Sequence, residues 1–121
     1  MTSLHWAAQK GHTDTCKLLL ERGAPVDAKS HRGSTPLHGA AYNGMVDVAR
    51  LLLDGGAAVD SPNNMGQTPL HQASLAGKTD AAQLLLDRGA AVDSKTNNDK
   101  SPFALAKNAD MKALLKSRGA A

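Results

Sequence analysis

The sequence predicts an all-α solenoid of stacked repeats, and three observations carry that prediction. Thr-Pro-Leu-His occurs at Thr35–His38 and again at Thr68–His71, with Thr2-Ser3-Leu4-His5 and Ser101-Pro102-Phe103-Ala104 as weaker copies, so that successive units start 33 residues apart. The middle units, Ser34–Gly66 and Gln67–Asp99, share 19 of 33 aligned residues, far more than a common composition produces. Hydrophobic residues make up 41% of the 121-residue chain but aromatics only 2%, so the core must be built from Leu, Ala and Val in a mixture whose Ala and Leu favour helices.

The elements follow unit by unit. The first unit, residues 1–33, starts directly on a helix at Thr2 with no hairpin before it. Its stretch Leu4-His5-Trp6-Ala7-Ala8 carries no obvious polar capping substitutions, as expected of a piece of a longer array or a chain whose cap is lost. In the second unit, residues 34–66, Thr35 is a good N-cap and Pro36 sits at the first helical position, where its missing N–H costs nothing. His38, three residues on, is placed to reach back to Thr35 as in a capping box. Gly44 ends this helix through a left-handed position, and small Ala40 and Ala41 let it lie close to its neighbours. A second helix is expected over Val46–Asp54, with Asp47 favourable in its first turn and Val48, Ala49, Leu52 and Leu53 on one face. Gly56 stops it. From Ala57 to Gln67, Pro62, Asn63, Asn64 and Gly66 accompany a single large aliphatic, Val59, which reads as an extended segment with a tight turn. The third unit, residues 67–99, repeats this plan. The fourth, residues 100–121, is three residues shorter between its helix start and final glycine, puts Lys107 in place of the second alanine and adds Lys112, Lys116 and Arg118, as a terminal cap with a polar outer face does. Asp99 stands where Gly33 and Gly66 occur, so a different tip conformation is expected in the last hairpin. None of these helices is long enough to persist alone, so each unit must stack its leucines on the next.

The 33-residue period, Thr-Pro-Leu-His at the helix start, Gly before the second helix, then Leu-Leu and Gly-Ala, resembles the ankyrin repeat over essentially all of residues 2–121. The resemblance implies antiparallel helix pairs joined by β-hairpin-like loops that project at right angles. It also implies a protein-binding groove formed by the loop tips and the first helices.

Chemistry is poorly represented. His5, His38 and His71 recur at the repeat period, which sets equivalent rings about 10 Å apart on neighbouring packed helices, too far to share one metal; a capping role is expected instead. Cys16 aligns with Ala49 and Ala82 on the inner face of the second helix, the place of a small buried hydrophobe rather than a reactive thiol. Asp14, Asp47 and Asp80 recur at helix starts and Asp27, Asp60 and Asp93 in the hairpins, so neither set is a single-copy dyad for acid–base work. Asp54-Gly55-Gly56 ends a helix and lacks phosphate-loop spacing. No enzyme, metal or cofactor is therefore expected. A single cysteine forms no internal disulfide, no apolar run approaches a membrane span and no export signal precedes Leu4, so an intracellular setting, cytoplasmic or nuclear, is expected.

The formal charge is +3, distributed as +2 over residues 1–32, −3 over 33–94 and +4 over 95–121. No aromatic is interleaved with the C-terminal lysines, which disfavours nucleic acid. What remains is the variation between copies, which falls on residues that packing leaves free. At the hairpin tips these are His31, Arg32 and Ser34, then Asn64, Met65 and Gln67, then Asn97, Asn98 and Lys100. On the first helices they are Trp6, Gln9, Lys10, Tyr42, Asn43, Leu75 and Ala76. Trp6, Tyr42 and Leu75 put large apolar groups toward the groove, and Tyr42, Met65 and Leu75 form an apolar strip bounded by Arg32, Asn64 and Gln67. The expected function is non-catalytic binding of a protein partner of unknown identity through the concave groove. The alternative is a designed, consensus-like or excised scaffold with no partner of its own. A monomer is expected, with weak self-association through the uncovered N-terminal end.

Overall fold

A computed structural model describes residues 1–121 as four pairs of helices: α1 (Ser3–Lys10) with α2 (Thr13–Glu21), α3 (Pro36–Tyr42) with α4 (Val46–Asp54), α5 (Pro69–Ala76) with α6 (Thr79–Asp87), and α7 (Pro102–Leu105) with α8 (Ala109–Ser117). Helices α1, α3, α5 and α7 pack in sequence as an inner layer, and α2, α4, α6 and α8 as an outer one. The short turn within each pair brings the chain back against itself. This is the expected all-α solenoid.

The inner helices start as their sequence dictates. The backbone N–H of Thr2, Thr35 and Thr68 donates to Nδ1 of His5, His38 and His71 at 3.2, 3.0 and 3.0 Å, the reciprocal half of a capping box in which imidazole replaces the usual Glu or Gln. They stop at glycines in the left-handed region, Gly11, Gly44 and Gly77, at φ of 74, 69 and 72°. The outer helices have no side-chain cap until α8, where Asn108 accepts from Met111 N–H at 2.9 Å.

The core lies between the layers and is built from registers. Leu4, Leu37 and Leu70 fill it from the inner helices and Leu52, Leu85 and Leu115 from the outer ones, while Cys16, Ala49 and Ala82 share one small, fully buried position. Each such leucine contributes about 1.5–3 kcal/mol through burial. Burial also pushes the Cys16 thiol up from its ordinary value, consistent with a space-filling role.

The long loops close as hairpins without forming a ladder. Ser30, Asn63 and Thr96 donate to the carbonyls of Ser34, Gln67 and Lys100 at 2.9, 2.9 and 3.0 Å. The expectation of a different last tip is corrected here: Asp99 adopts φ 62°, beside 74° at Gly33 and 75° at Gly66, and its N–H makes the same turn bond to Thr96 at 2.9 Å. Aspartate is among the few side chains that tolerate the left-handed region, so the turn is kept and the backbone carries the strain.

The fourth unit departs in its helices. Without the three missing residues α7 ends at Leu105, and Ala106 turns extended at φ −59°, ψ 126°. Phe103, in the register of Leu70, is only half-buried, with Lys116 Nζ 5.3 Å from its ring centroid. The outward residues of α8 include Asp110, Lys112 and Lys116, all exposed.

Three sets of bonds link the units, two of them at every junction and the third, between hairpin tips, joining the first three units. Nε2 of His5, His38 and His71 lies 2.8, 2.8 and 2.9 Å from the carbonyls of Ser34, Gln67 and Lys100. Because Nδ1 of each ring accepts a backbone N–H, the ring proton is on Nε2 and donates to that carbonyl, which fixes the neutral tautomer. Asp27, Asp60 and Asp93 accept from the backbone N–H of Ala58, Ala91 and Ala121. The tips are tied as well, with Asn64 N–H donating to Arg32 O at 2.9 Å and Asn97 N–H to Met65 O at 3.0 Å.

Candidate functional site

The concave side is what this framework leaves over. A helix that buries Leu4, His5, Ala7 and Ala8 turns positions 6, 9 and 10 outward, and the following units do the same with their equivalents. Hairpin tips flank that face. Between α1, α3, the start of α5 and the first two tips lies an open cleft of about 710 Å³.

The cleft gathers Gln9, His31, Arg32, Ser34, Tyr42, Asn43, Asn64, Met65 and Gln67 from the residues expected to bind. Trp6, Lys10, Leu75, Ala76, Asn97, Asn98 and Lys100 lie outside it. Tyr42 and Met65, 48% and 57% exposed, both line the cleft, whereas Leu75, 42% exposed, lies outside it. Trp6 is 53% exposed but belongs to the register of Gly39 and Gln72, one helical turn before that of Gln9, Tyr42 and Leu75, and Lys10 Nζ lies 5.9 Å from its ring centroid.

Several of these side chains are partly committed to the stack. Asn64 Nδ2 donates to His31 O and Asn97 Nδ2 to Asn64 O, both at 2.9 Å, so each amide cross-links two tips. Asn43 Nδ2 donates to Gly39 O at 3.0 Å. Gln67 Oε1 accepts from Asn63 Nδ2 at 3.0 Å and Gln72 Nε2 at 2.8 Å. That pair of bonds saturates the Gln67 oxygen, while its amide nitrogen has no hydrogen-bond partner within the chain.

Asn63, Gln72 and Gly39 also line the cleft and are absent from the sequence-derived set. A signal for two of them existed, because Trp6, Gly39 and Gln72 differ at one register in the same way as Gln9, Tyr42 and Leu75 differ at another. Gly39 lies close against α1: a Cβ there would stand 3.4 Å from Gln9 Cβ, in van der Waals contact with it.

The repeated histidines of the capping boxes, of which His5 and His38 line the cleft, are structural. His38 and His71 are held below the ordinary imidazole range, first by burial and against the opposing influence of the carbonyls they bond. No three His, Cys, Asp or Glu side chains converge as metal ligands do, and no helix is long and apolar enough to cross a membrane.

Comparison with known proteins agrees with this architecture. A family model for ankyrin repeats, in three copies, matches residues 4–96. Over 35 residues, 29% of this chain, the sequence is 49% identical to the human ankyrin repeat and KH domain-containing protein 1 and 46% identical to the rat 26S proteasome non-ATPase regulatory subunit 10. The matched stretch spans only 1% and 15% of those relatives' lengths. The recurrent helix pairs, the Thr-x-x-His boxes and the family match over most of the chain place this protein in the ankyrin-repeat family.

Proposed function

We propose that the chain is a non-catalytic interaction module that holds a protein partner in its concave groove. The observation that carries this reading is that exposed Tyr42 and Met65 line one cleft together with the polar side chains of Gln9, Arg32, Asn43 and Gln67. Tyr42, at the end of α3, and Met65, in a hairpin turn, both stand outside the buried core. An apolar centre within a polar rim is the usual anatomy of a protein interface. Ankyrin repeats serve generally as protein-interaction modules, which supports the same reading. The single free thiol suits an intracellular location, cytoplasmic or nuclear.

The test pairs affinity with stability. Partners captured from cell extract by the immobilised chain are measured against Tyr42→Ala/Met65→Ala, which should weaken binding by about 2 kcal/mol or more while leaving the denaturation midpoint almost unchanged. Undiminished binding by the double variant moves the site off the groove. A large drop in the midpoint shows instead that these side chains support the core.

A further inference from the structure

We infer that the partner presents an acidic segment to the cleft, with a carboxylate set against Arg32 and an apolar side chain lodged beside Tyr42 and Met65. This rests on the groove reading above and narrows it to one chemical class of partner.

The charge distribution is the first argument. No Asp or Glu lines the cleft, and its one permanently charged side chain is Arg32. Six of the eleven carboxylates of this chain are engaged elsewhere. Asp27, Asp60 and Asp93 accept backbone N–H groups at the loop bases, and Asp47, Asp54 and Asp87 pair with Arg50, Arg88 and Arg118 on or beside the outer helices. Arg32 forms neither an ion pair nor a side-chain hydrogen bond, although its backbone is fixed at both ends of the residue: its N–H donates to Ser30 Oγ at 3.3 Å and its carbonyl accepts from Asn64 N–H at 2.9 Å. An unpaired guanidinium on an anchored backbone is prepared to fork onto a carboxylate.

The donor balance points the same way. Gln67, whose oxygen is saturated by Asn63 and Gln72, lines the cleft with an amide nitrogen that has no partner within the chain, and the Tyr42 hydroxyl has none either. These groups suit an acceptor-rich ligand. A nucleic acid is the poorer fit, because one unpaired cation cannot follow a row of phosphates.

The experiment uses three pools of fluorescent peptides of equal length, each with Leu, Phe or Met at the centre and flanked by Glu/Asp, by Gln/Asn or by Lys/Arg. The acidic pool should bind about tenfold tighter than the neutral pool, and Arg32→Gln should abolish that advantage. Raising salt from about 50 to about 300 mM should shrink it. Because Arg32 has no partner, its replacement should leave the melting temperature unchanged. Tyr42→Ala should weaken the acidic and neutral pools alike. Equal affinity for all pools, an acidic preference that survives Arg32→Gln, or tighter binding of a thymidine 20-mer that Arg32→Gln removes would each overturn the inference. If peptides bind without charge preference but still depend on Tyr42, the groove reading stands and only the acidic class is lost. If no pool binds in a Tyr42-dependent way, both are lost.

Discussion

At the scale of single residues, His38 and His71 link acidity to folding. Each ring accepts a threonine N–H on Nδ1 and donates from Nε2 to the next unit's carbonyl, so a second proton would set two donors against each other at Nδ1. Burial lowers the folded affinity for that proton, whereas the unfolded chain takes it up near the ordinary value of about 6.5. The unfolded state therefore binds more protons on the acid side. Stability should be complete above that value and decline as pH falls through it toward the folded pKa. Urea melts between pH 8 and pH 5 should show the decline, and His38→Gln/His71→Gln should flatten it. Asp99 gives a second residue-level test. Asp99→Gly should raise stability by about 1 kcal/mol or less by relieving a left-handed non-glycine residue. Gly66→Ala should lower it by about 1–2 kcal/mol or more, because the new Cβ would stand 2.7 Å from Asn97 N. The capping half of the histidine's role was legible as Thr-x-x-His. Its other half was not, because the accepting carbonyl lies 29 residues away. The Asp99 turn was misjudged because glycine is the usual occupant of such a position, and only the backbone shows aspartate adopting it.

At the scale of elements, the outer helix ends form an incomplete ladder of ion pairs. Arg88 reaches back to Asp54 at 2.8 Å and Arg118 to Asp87, but the residue in their register one unit earlier is Gly55, so Glu21 has no such partner. Gly55→Arg should add the missing rung. Gly55 has φ −83°, and its Cβ would meet nothing nearer than 3.4 Å, so the change carries no conformational penalty. The gain should be about 0.2–1 kcal/mol and should fade in high salt, as exposed pairs do; chemical denaturation at two salt concentrations measures it. Helix α4 was read from its sequence at its observed limits, because Asp47, the leucine spacing and the glycines after Asp54 are local signals. The cleft was legible only in part. Variation between copies pointed to Tyr42 and Met65, but that both line one cleft depends on how neighbouring units stack, which no local pattern records. Leu75, equivalent to Tyr42 by sequence, falls outside the cleft.

For the whole molecule, stability is a sum over neighbouring units. Leu52 and Leu115 are both fully buried, yet α4 packs against both α2 and α6 while α8 packs only on α6 and α7. Leu52→Ala should cost about 2–5 kcal/mol by opening a cavity with walls on two sides. Leu115→Ala should cost less, since the chain around it can collapse from one side; guanidinium melts of the two variants decide the order. The solenoid itself was the most legible property of the sequence, since a 33-residue period repeats every local instruction and a misreading in one copy is corrected by the next.

The bonds from His5, His38 and His71 to the next hairpin, and from Asp27, Asp60 and Asp93 to the next loop, each advance by a single unit. A tensile load applied between Met1 and Ala121 is thus borne by three junctions in series, with no strut bypassing any of them. Such a chain of springs yields at its weakest junction, and the short α7, which contributes only four helical residues to its contact with α5, marks the C-terminal junction as the first to part. Pulled in an optical trap, the molecule should lengthen in discrete steps of about one unit and, on slackening, re-form from whichever junction survived.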